Sequence, residues 1–308
     1  MYLHSNKATF ASFIDETSRY YGINFSLVEK DYYVFMTLKL IVEKCGSEAV
    51  FKGGTSLSKA YEIIQRFSED IDLCLPSDKI KNDGARKRLT TAITNSMDEL
   101  GLTPCSTRRI ERRGIYNDIR GSYESVSVKS FVEPYIKVET AHRIKEYPFE
   151  NRLISSYVSD YLASCSHGEL IKQCGLEPFY VATVSMYRTF IDKLFAIADY
   201  YLAGKNYKYS RHLYDLYKII NVINWNDIIL VDNLRQLLEQ VRLERINSKT
   251  CLSVQGNVPL KTLINEVLTS DFFMNDYNKV TGPILFDNIT YEMCKITILN
   301  LINSSIIM

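Results

Sequence analysis

The segment FKGGTSLSKAYEIIQRFSEDIDL, residues 51–73, narrows the possible folds more than any other part of this chain. A short apolar stretch, EAVFK (48–52), runs directly into Gly53 and Gly54, then into the small hydroxylated residues Thr55 and Ser56, and on into a helix-like run over Ser56–Arg66. Two acids, Asp70 and Asp72, then alternate with the apolar Ile71 and Leu73 in a second strand-like stretch, Asp70–Leu75. Strand, glycine turn, helix and acidic strand in this order suggest a phosphate cradle facing a metal site.

Each part of that reading has a chemical reason. Glycines directly after a strand let the backbone approach a phosphate, and a helix starting near Thr55–Ser56 offers unpaired N–H groups to an anion. The spacing is neither the P-loop pattern nor G-x-G-x-x-G, so neither of those nucleotide folds is indicated. A plain tight turn between strand and helix is the alternative. In a strand, residues two apart share a face, so the Asp70 and Asp72 carboxylates project together while Ile71 and Leu73 point into the core. Two such acids repel unless a cation stands beside them, and magnesium suits oxygen ligands of this kind. A solvated edge strand is the competing reading. Glu139, in PYIKVETAH (134–142), is the candidate third acid, with Lys137 on its face of the strand; a surface Glu139–Lys137 pair is equally consistent with the pattern.

The composition adds limits. A length of 308 residues allows one large domain or two modest ones, and a formal net charge of +1 gives no global attraction to nucleic acid or membrane. Seven scattered cysteines, none in a C-x-x-C arrangement, argue against a disulfide framework or a zinc ribbon. The N-terminal stretch lacks a basic region followed by an apolar core, and no apolar run approaches the roughly 20 residues that cross a bilayer. The expected location is cytoplasmic, with no membrane partner.

Periodicity predicts helices over 7–21 and 26–44 before the first strand. Strand and helix signals then alternate from 48 to about 141, with a helix over Gly84–Leu100 and β-leaning stretches at 105–112, 120–131 and 134–141. Beyond about residue 185 the apolar spacing is helical: Met186–Tyr201, Arg211–Val222, Trp225–Gln240, Leu260–Thr269 and Tyr291–Asn303. The expectation is an α+β protein, with a domain over 1–185 carrying a small mixed sheet flanked by helices, followed by a helical bundle over 186–308.

FKGGTSLSKAYEIIQRFSEDIDL resembles the signature of the AbiEii/AbiGii-type toxins, a branch of the nucleotidyltransferase superfamily with the DNA polymerase β fold. The resemblance continues in LVEKDYYV (27–34), IKVE (136–139), YRTFIDKLFAI (187–197) and SRHLYDLYKI (210–219); no motif is recognised in 220–308. It implies that Gly53, Gly54, Thr55 and Ser56 hold a triphosphate, that Asp70, Asp72 and Glu139 bind metal, that Lys193 contacts nucleotide, and that Asp215 is the acid of an R-H-x-x-D motif. Thr55 replaces the serine common in the superfamily, and Asp192 stands where Glu is expected.

Several residues keep two readings. Arg188 with Asp192, and Arg211 with Asp215, stand four apart, the spacing of ordinary surface ion pairs. Beside the resemblance, Lys193 and Arg211 become phosphate contacts, and Asp215 orients one of them. Lys59 either touches phosphate or is solvated. Glu29, Lys30 and Asp31 serve to anchor their helix, and His212 is a packing residue rather than a general base. RRIERR (108–113) and the tyrosines at 200, 201, 207, 209, 214 and 217 offer RNA contacts, against a charged surface and half-buried core positions.

The implied reaction moves a nucleoside monophosphate from NTP to an acceptor hydroxyl with magnesium or manganese, two ions about 3.5–4 Å apart serving attack and departure. The implied acceptor is the 3′ end of tRNA, and a cognate antitoxin restrains the enzyme. A protein nucleotidylating or phosphorylating enzyme and a catalytically silent binding module are the alternatives.

Overall fold

A computed structural model of the chain describes residues 1–105, 109–110, 114–127, 130–142, 147–304 and 306. The chain divides into two compact units, Met1–Ala60 with Ser68–Val184, and Tyr61–Phe67 with Ser185–Met308.

The first unit begins with α1 (Lys7–Tyr21) and α2 (Phe25–Cys45). Asn6 caps the first by accepting from the Thr9 N–H, and Asn24 caps the second by accepting from the Ser26 N–H. There follow β1 (Val50–Lys52), α3 (Gly53–Lys59), β2 (Ile71–Cys74), α4 (Asp83–Glu99), β3 (Thr103–Pro104), β4 (Arg109–Ile110), β5 (Tyr116–Ser122) and β6 (Tyr135–Ala141). The unit closes with β7 (Phe149–Ile154), α5 (Tyr157–Ser164), α6 (Gly168–Gln173) and β8 (Phe179–Val184).

The sheet order is β3-β5-β6-β2-β1-β8-β7, with β4 paired to β5. The β2/β6 and β1/β8 pairs are parallel and the others antiparallel, so the sheet is mixed. Phe51, Ile71, Leu73, Ile136, Val138 and Val181 join one large core with Tyr32, Phe35 and Ile41 of α2 and Leu89 and Ile93 of α4. A smaller cluster of Val50, Cys74 and Val184 lies apart from it. Val50 and Lys52 lie opposite Cys74 and Asp72, so the apolar cluster and the acidic positions belong to one alternating set.

The second unit holds α7 (Met186–Leu202), α8 (Arg211–Val222), α9 (Ile228–Arg245), α10 (Leu260–Thr269), α11 (Met274–Asp276) and α12 (Tyr291–Asn303). Their inward stripes include Phe190, Leu194, Leu213, Leu216, Leu234, Leu263, Val267 and Ile298, all buried. Asp276 fixes the turn before α8 by accepting from the backbone N–H groups of Lys208, Tyr209 and Ser210. Among the described residues, no helix is long and apolar enough to cross a membrane.

The α+β architecture and the C-terminal helical bundle match the sequence expectation. The helix expected over Ser56–Arg66 is shorter, ending at Lys59. Glu62 takes a positive φ of 55°, and Gln65–Phe67 then pairs with Ile284–Phe286 through Phe67 N–H to Ile284 O (3.0 Å) and Phe286 N–H to Gln65 O (2.8 Å). These bonds, and the hold of the Asp215 carboxylate on Arg66, take the segment out of the helix. The 120–131 stretch is strand only to Ser122, and β5 starts earlier, at Tyr116. Of RRIERR, Arg109 and Ile110 form β4, while Arg108 and 111–113 lie outside the described residues.

Candidate active site

The register of the sheet assembles charged residues whose sequence positions are far apart. Lys52 lies opposite Asp72, Asp72 opposite Glu139, and Glu139 opposite Asp118, giving one row across β1, β2, β6 and β5. All four positions share one face of the sheet. Asp70 precedes this row on the same face, beside Lys137.

Gly53 packs against this row. It has a φ of +78°, and a β-carbon added there would overlap Asp72 Oδ2 and stand 3.0 Å from its Cγ. The glycine turn and the acidic strand are therefore fitted to one another: the Asp72 carboxylate occupies the space that any side chain at 53 would need.

Lys137 is the cation of the acidic group. Its Nζ lies 2.7 Å from Glu139 Oε1 and 3.4 Å from Asp70 Oδ2. Burial pulls its pKa down, but the Asp70 and Glu139 carboxylates outweigh that and raise it above the ordinary lysine value. Tyr116 donates its hydroxyl to Glu139 Oε1 at 2.8 Å, and burial together with this bond raises the phenol pKa. Asp118 is a fourth acid, held by Arg120 through two bonds of 2.8 and 2.7 Å.

Among the described residues, no three Asp, Glu, His or Cys side chains converge closely enough to enclose a metal by themselves. The donor set still fits a divalent ion that completes its shell with water and substrate oxygens, since hard carboxylate oxygens share one face and already attract one cation, the Lys137 ammonium.

The hydroxyls of the glycine turn face inward. Thr55 donates to the Asp70 carbonyl at 2.5 Å and meets Ser68 Oγ at 2.8 Å, while Ser56 donates to the Gly53 carbonyl at 2.8 Å. Thr55 thus ties the start of α3 to the start of the acidic strand. Lys59 forms an ion pair with Asp31 and also donates to the Ser155 carbonyl at 3.3 Å. It is one of several bonds made by three consecutive charged residues of α2, all buried. Glu29 accepts from Ser125 Oγ (2.6 Å) and the Val126 N–H (2.8 Å). Lys30 reaches the Glu133 carbonyl (2.7 Å) and Glu69 (2.8 Å), and Asp31 also accepts from the Tyr157 N–H (3.0 Å).

In the second unit, Asp215 is fully buried and receives two cations. Arg66 grips it with both branches of its guanidinium, Nε to Oδ1 at 2.7 Å and Nη2 to Oδ2 at 2.9 Å, and Lys193 Nζ donates to Oδ2 at 2.6 Å. Burial alone would raise the Asp215 pKa, but Arg66 and Lys193 hold it well below the carboxylate range. Burial lowers the Lys193 pKa, with Asp215 only partly opposing. His212 stacks on Tyr200 and has Nδ1 3.4 Å from Lys193 Nζ. Burial and the neighbouring Lys193 and Arg211 push its pKa far down, so it stays neutral. Arg211 is exposed at the start of α8, and the partner of Asp215 is Arg66 instead.

Arg188 and Asp192 are not the surface pair that their spacing suggests. Arg188 is fully buried, and Asp192 binds both Arg188 Nε (3.0 Å) and Arg245 Nη2 (2.9 Å). The shorter acid at 192 is therefore engaged by two arginines. Of the tyrosines, Tyr200 stacks on Tyr209 with centroids 3.7 Å apart, Tyr214 is buried, and Tyr207 is exposed.

Sequence reasoning missed Arg66 and Asp118. Arg66 sat inside an expected helix, and no local pattern ties it to a residue 149 positions away. The D-x-R alternation at 118–120 was a usable signal for an acid on a strand face.

A sequence model of the nucleotidyl transferase AbiEii toxin family, type IV toxin–antitoxin system, matches residues 38–290. The chain belongs to that family. The AbiEii match takes in Gly53, Asp70, Asp72, Glu139, Lys193 and Asp215, and it runs past residue 219 into the helices where no motif was recognised. It makes the chain a nucleotidyltransferase toxin, a class that acts on NTPs, generally with divalent metals, and that is paired with an antitoxin. In structure this AbiEii-family chain is similar to MenT4, a nucleotidyltransferase toxin from Mycobacterium tuberculosis H37Rv, with a TM-score of 0.58 and 17% identity. That alignment covers 93% of this chain and 87% of the other, and at this identity the likeness is one of fold. No curated protein matches the sequence.

Proposed function

We propose that this toxin transfers a nucleoside monophosphate from NTP to an acceptor hydroxyl, releasing pyrophosphate, and that the acceptor is the 3′ end of tRNA. The transfer chemistry rests above all on one observation, the fit of the Gly53 turn against Asp72 in a cross-sheet row that also contains Glu139. Asp70, Asp72 and Glu139 are the proposed ligands of magnesium, or of manganese in its place. When bound, the metal supplies charge neutralisation to the transferring phosphate.

The remaining roles belong to the protein. Gly53 and Gly54 expose backbone to the triphosphate without side-chain obstruction. Thr55 and Ser56 contribute through their backbone, because their hydroxyls are engaged within the fold. Lys59 positions α3 through Asp31 rather than binding phosphate. Lys193 and Arg211 are the proposed nucleotide contacts of the second unit, and Asp215, gripped by Arg66, fixes the direction of the Lys193 ammonium. The tRNA acceptor is supported by the resemblance to toxins that extend tRNA 3′ ends and so block aminoacylation.

The test is incubation with magnesium, each of the four α-labelled NTPs, and total cellular RNA and protein, with Asp70→Ala alongside. Label in the tRNA band with the native protein alone is expected. Label in a protein band instead would replace the acceptor, and absence of both transfer and NTP binding would overturn the reading.

A further inference from the structure

Lys137 has no part in the transfer described above, yet it stands between two of the proposed metal ligands. Its Nζ spans Glu139 Oε1 (2.7 Å) and Asp70 Oδ2 (3.4 Å), two of the three proposed metal ligands. The placement follows from the sheet. Lys137 and Glu139 are two apart on β6, and the parallel register, Ile71 opposite Val138 and Asp72 opposite Glu139, brings Asp70 level with Lys137. The lysine side chain is 17% exposed and each of the two acids 25%, so the ammonium is drawn in over the sheet instead of extending into water. Two further cations border the group: Lys52 lies opposite Asp72, and the second is already held. Arg120 lies directly across from Lys137 but is chelated by Asp118 through both of its bonds.

We propose that Lys137 is a built-in counter-cation of the metal site: it holds Asp70 and Glu139 together before metal arrives, and a divalent ion binds by displacing the ammonium from them. This inference rests on the assignment of Asp70, Asp72 and Glu139 as metal ligands. The physical basis is competition for the same oxygen lone pairs. A lysine in this position lowers the free energy of the metal-free acids, which otherwise repel one another, and every increment of that stabilisation is subtracted from metal affinity. An opposite charge within about 4–6 Å of a carboxylate changes its affinity for a competing cation such as a proton by about 10- to 1,000-fold. Displacement of the ammonium by a divalent ion falls at the lower end of that range, because the acids are a quarter exposed.

The experiment is a calorimetric titration of Mn2+ alone, without nucleotide, into the full-length native protein and its Lys137→Met, Lys137→Arg and Asp72→Asn variants, with circular dichroism confirming the fold of each. Lys137→Met is expected to bind Mn2+ about tenfold more tightly than the native protein, Lys137→Arg about as the native protein does, and Asp72→Asn more weakly. Lys137→Gln, which keeps a polar side chain without the charge, replaces the methionine variant if that one does not fold, and it should tighten binding likewise. Unchanged or weaker Mn2+ binding in the uncharged variants, with the Asp72→Asn loss still present, would overturn the counter-cation role and leave the metal assignment standing. Absence of Mn2+ binding in every protein, Lys137→Met included, would overturn both.

Discussion

Replacing Gly53 by alanine separates the function of the glycine turn from its backbone geometry. At a φ of +78° an alanine is strained by about 1–2 kcal/mol, because its Cβ crowds the following carbonyl. That cost alone lowers melting by roughly 2–8 °C. The second effect is local. The new Cβ would overlap Asp72 Oδ2 and lie 3.0 Å from Cγ, whereas carbon atoms pack at about 3.5–4.0 Å, so the carboxylate must move by on the order of 1 Å. A displacement of that size at a reacting group costs about 100-fold in rate. Gly22→Ala is the matched control: its φ is +66°, and a β-carbon there meets nothing within 4 Å. Both variants should melt a few degrees lower, and only Gly53→Ala should lose about two orders of magnitude in nucleotide transfer, measured with labelled NTP at saturating metal. Equal transfer by the two variants would refute the argument that Asp72 works from its place against Gly53.

Asp70→Ala and Asp72→Ala should each abolish transfer with circular dichroism unchanged, since both are partly exposed acids that contribute little packing; full activity in either would remove it from the metal set. Lys193→Ala should weaken NTP binding in a fluorescence titration, and an unchanged affinity would end its assigned role. Arg66→Met strands Asp215 in a buried site with one cation instead of two, and it should cost about 3–5 kcal/mol in chemical denaturation. His142 is buried, with no hydrogen-bond partner for Nε2 among the described residues, and burial with nearby Lys52 and Arg86 lowers its pKa to about 4. Its unfolded value is about 6.5, so its stabilisation is complete above that pH and is lost as the pH falls toward 4, by about 3 kcal/mol in all. Melting temperature should fall over this window, less steeply in His142→Gln; parallel slopes would contradict the assignment.

The legible parts of the fold were those set by short-range periodicity. The helices at Lys7–Tyr21, Arg211–Val222, Leu260–Thr269 and Tyr291–Asn303 follow from apolar spacing, and the strand that carries Asp72 between the core residues Ile71 and Leu73 follows from a two-residue repeat, although it starts at Ile71 and leaves Asp70 just before it. What the sequence left open was pairing over distance. That β8 lies beside β1, or that Asp72 lies opposite Glu139, depends on which strands close the core, and no local pattern encodes it. The same limit explains Arg188, whose four-residue spacing to Asp192 is that of a surface pair but which Glu244 and Asp192 neutralise in a buried position. Glu29, Lys30 and Asp31 were recognisable as an anchoring motif, while their separate partners at Val126, Glu133 and Lys59 came only from the folded chain.

The long reach between Arg66 and Asp215 also has a consequence in time. Synthesis delivers the arginine 149 residues before its acid, an interval of about 7–30 s at ~5–20 residues per second. Through that interval the guanidinium has no Asp215 to receive it. A nascent chain interrupted before residue 215 carries the glycine turn and all the proposed metal ligands, but Tyr61–Phe67 lacks most of its unit. Completion of the C-terminal helices is thus the step that settles the stretch joining the glycine turn to the acidic strand.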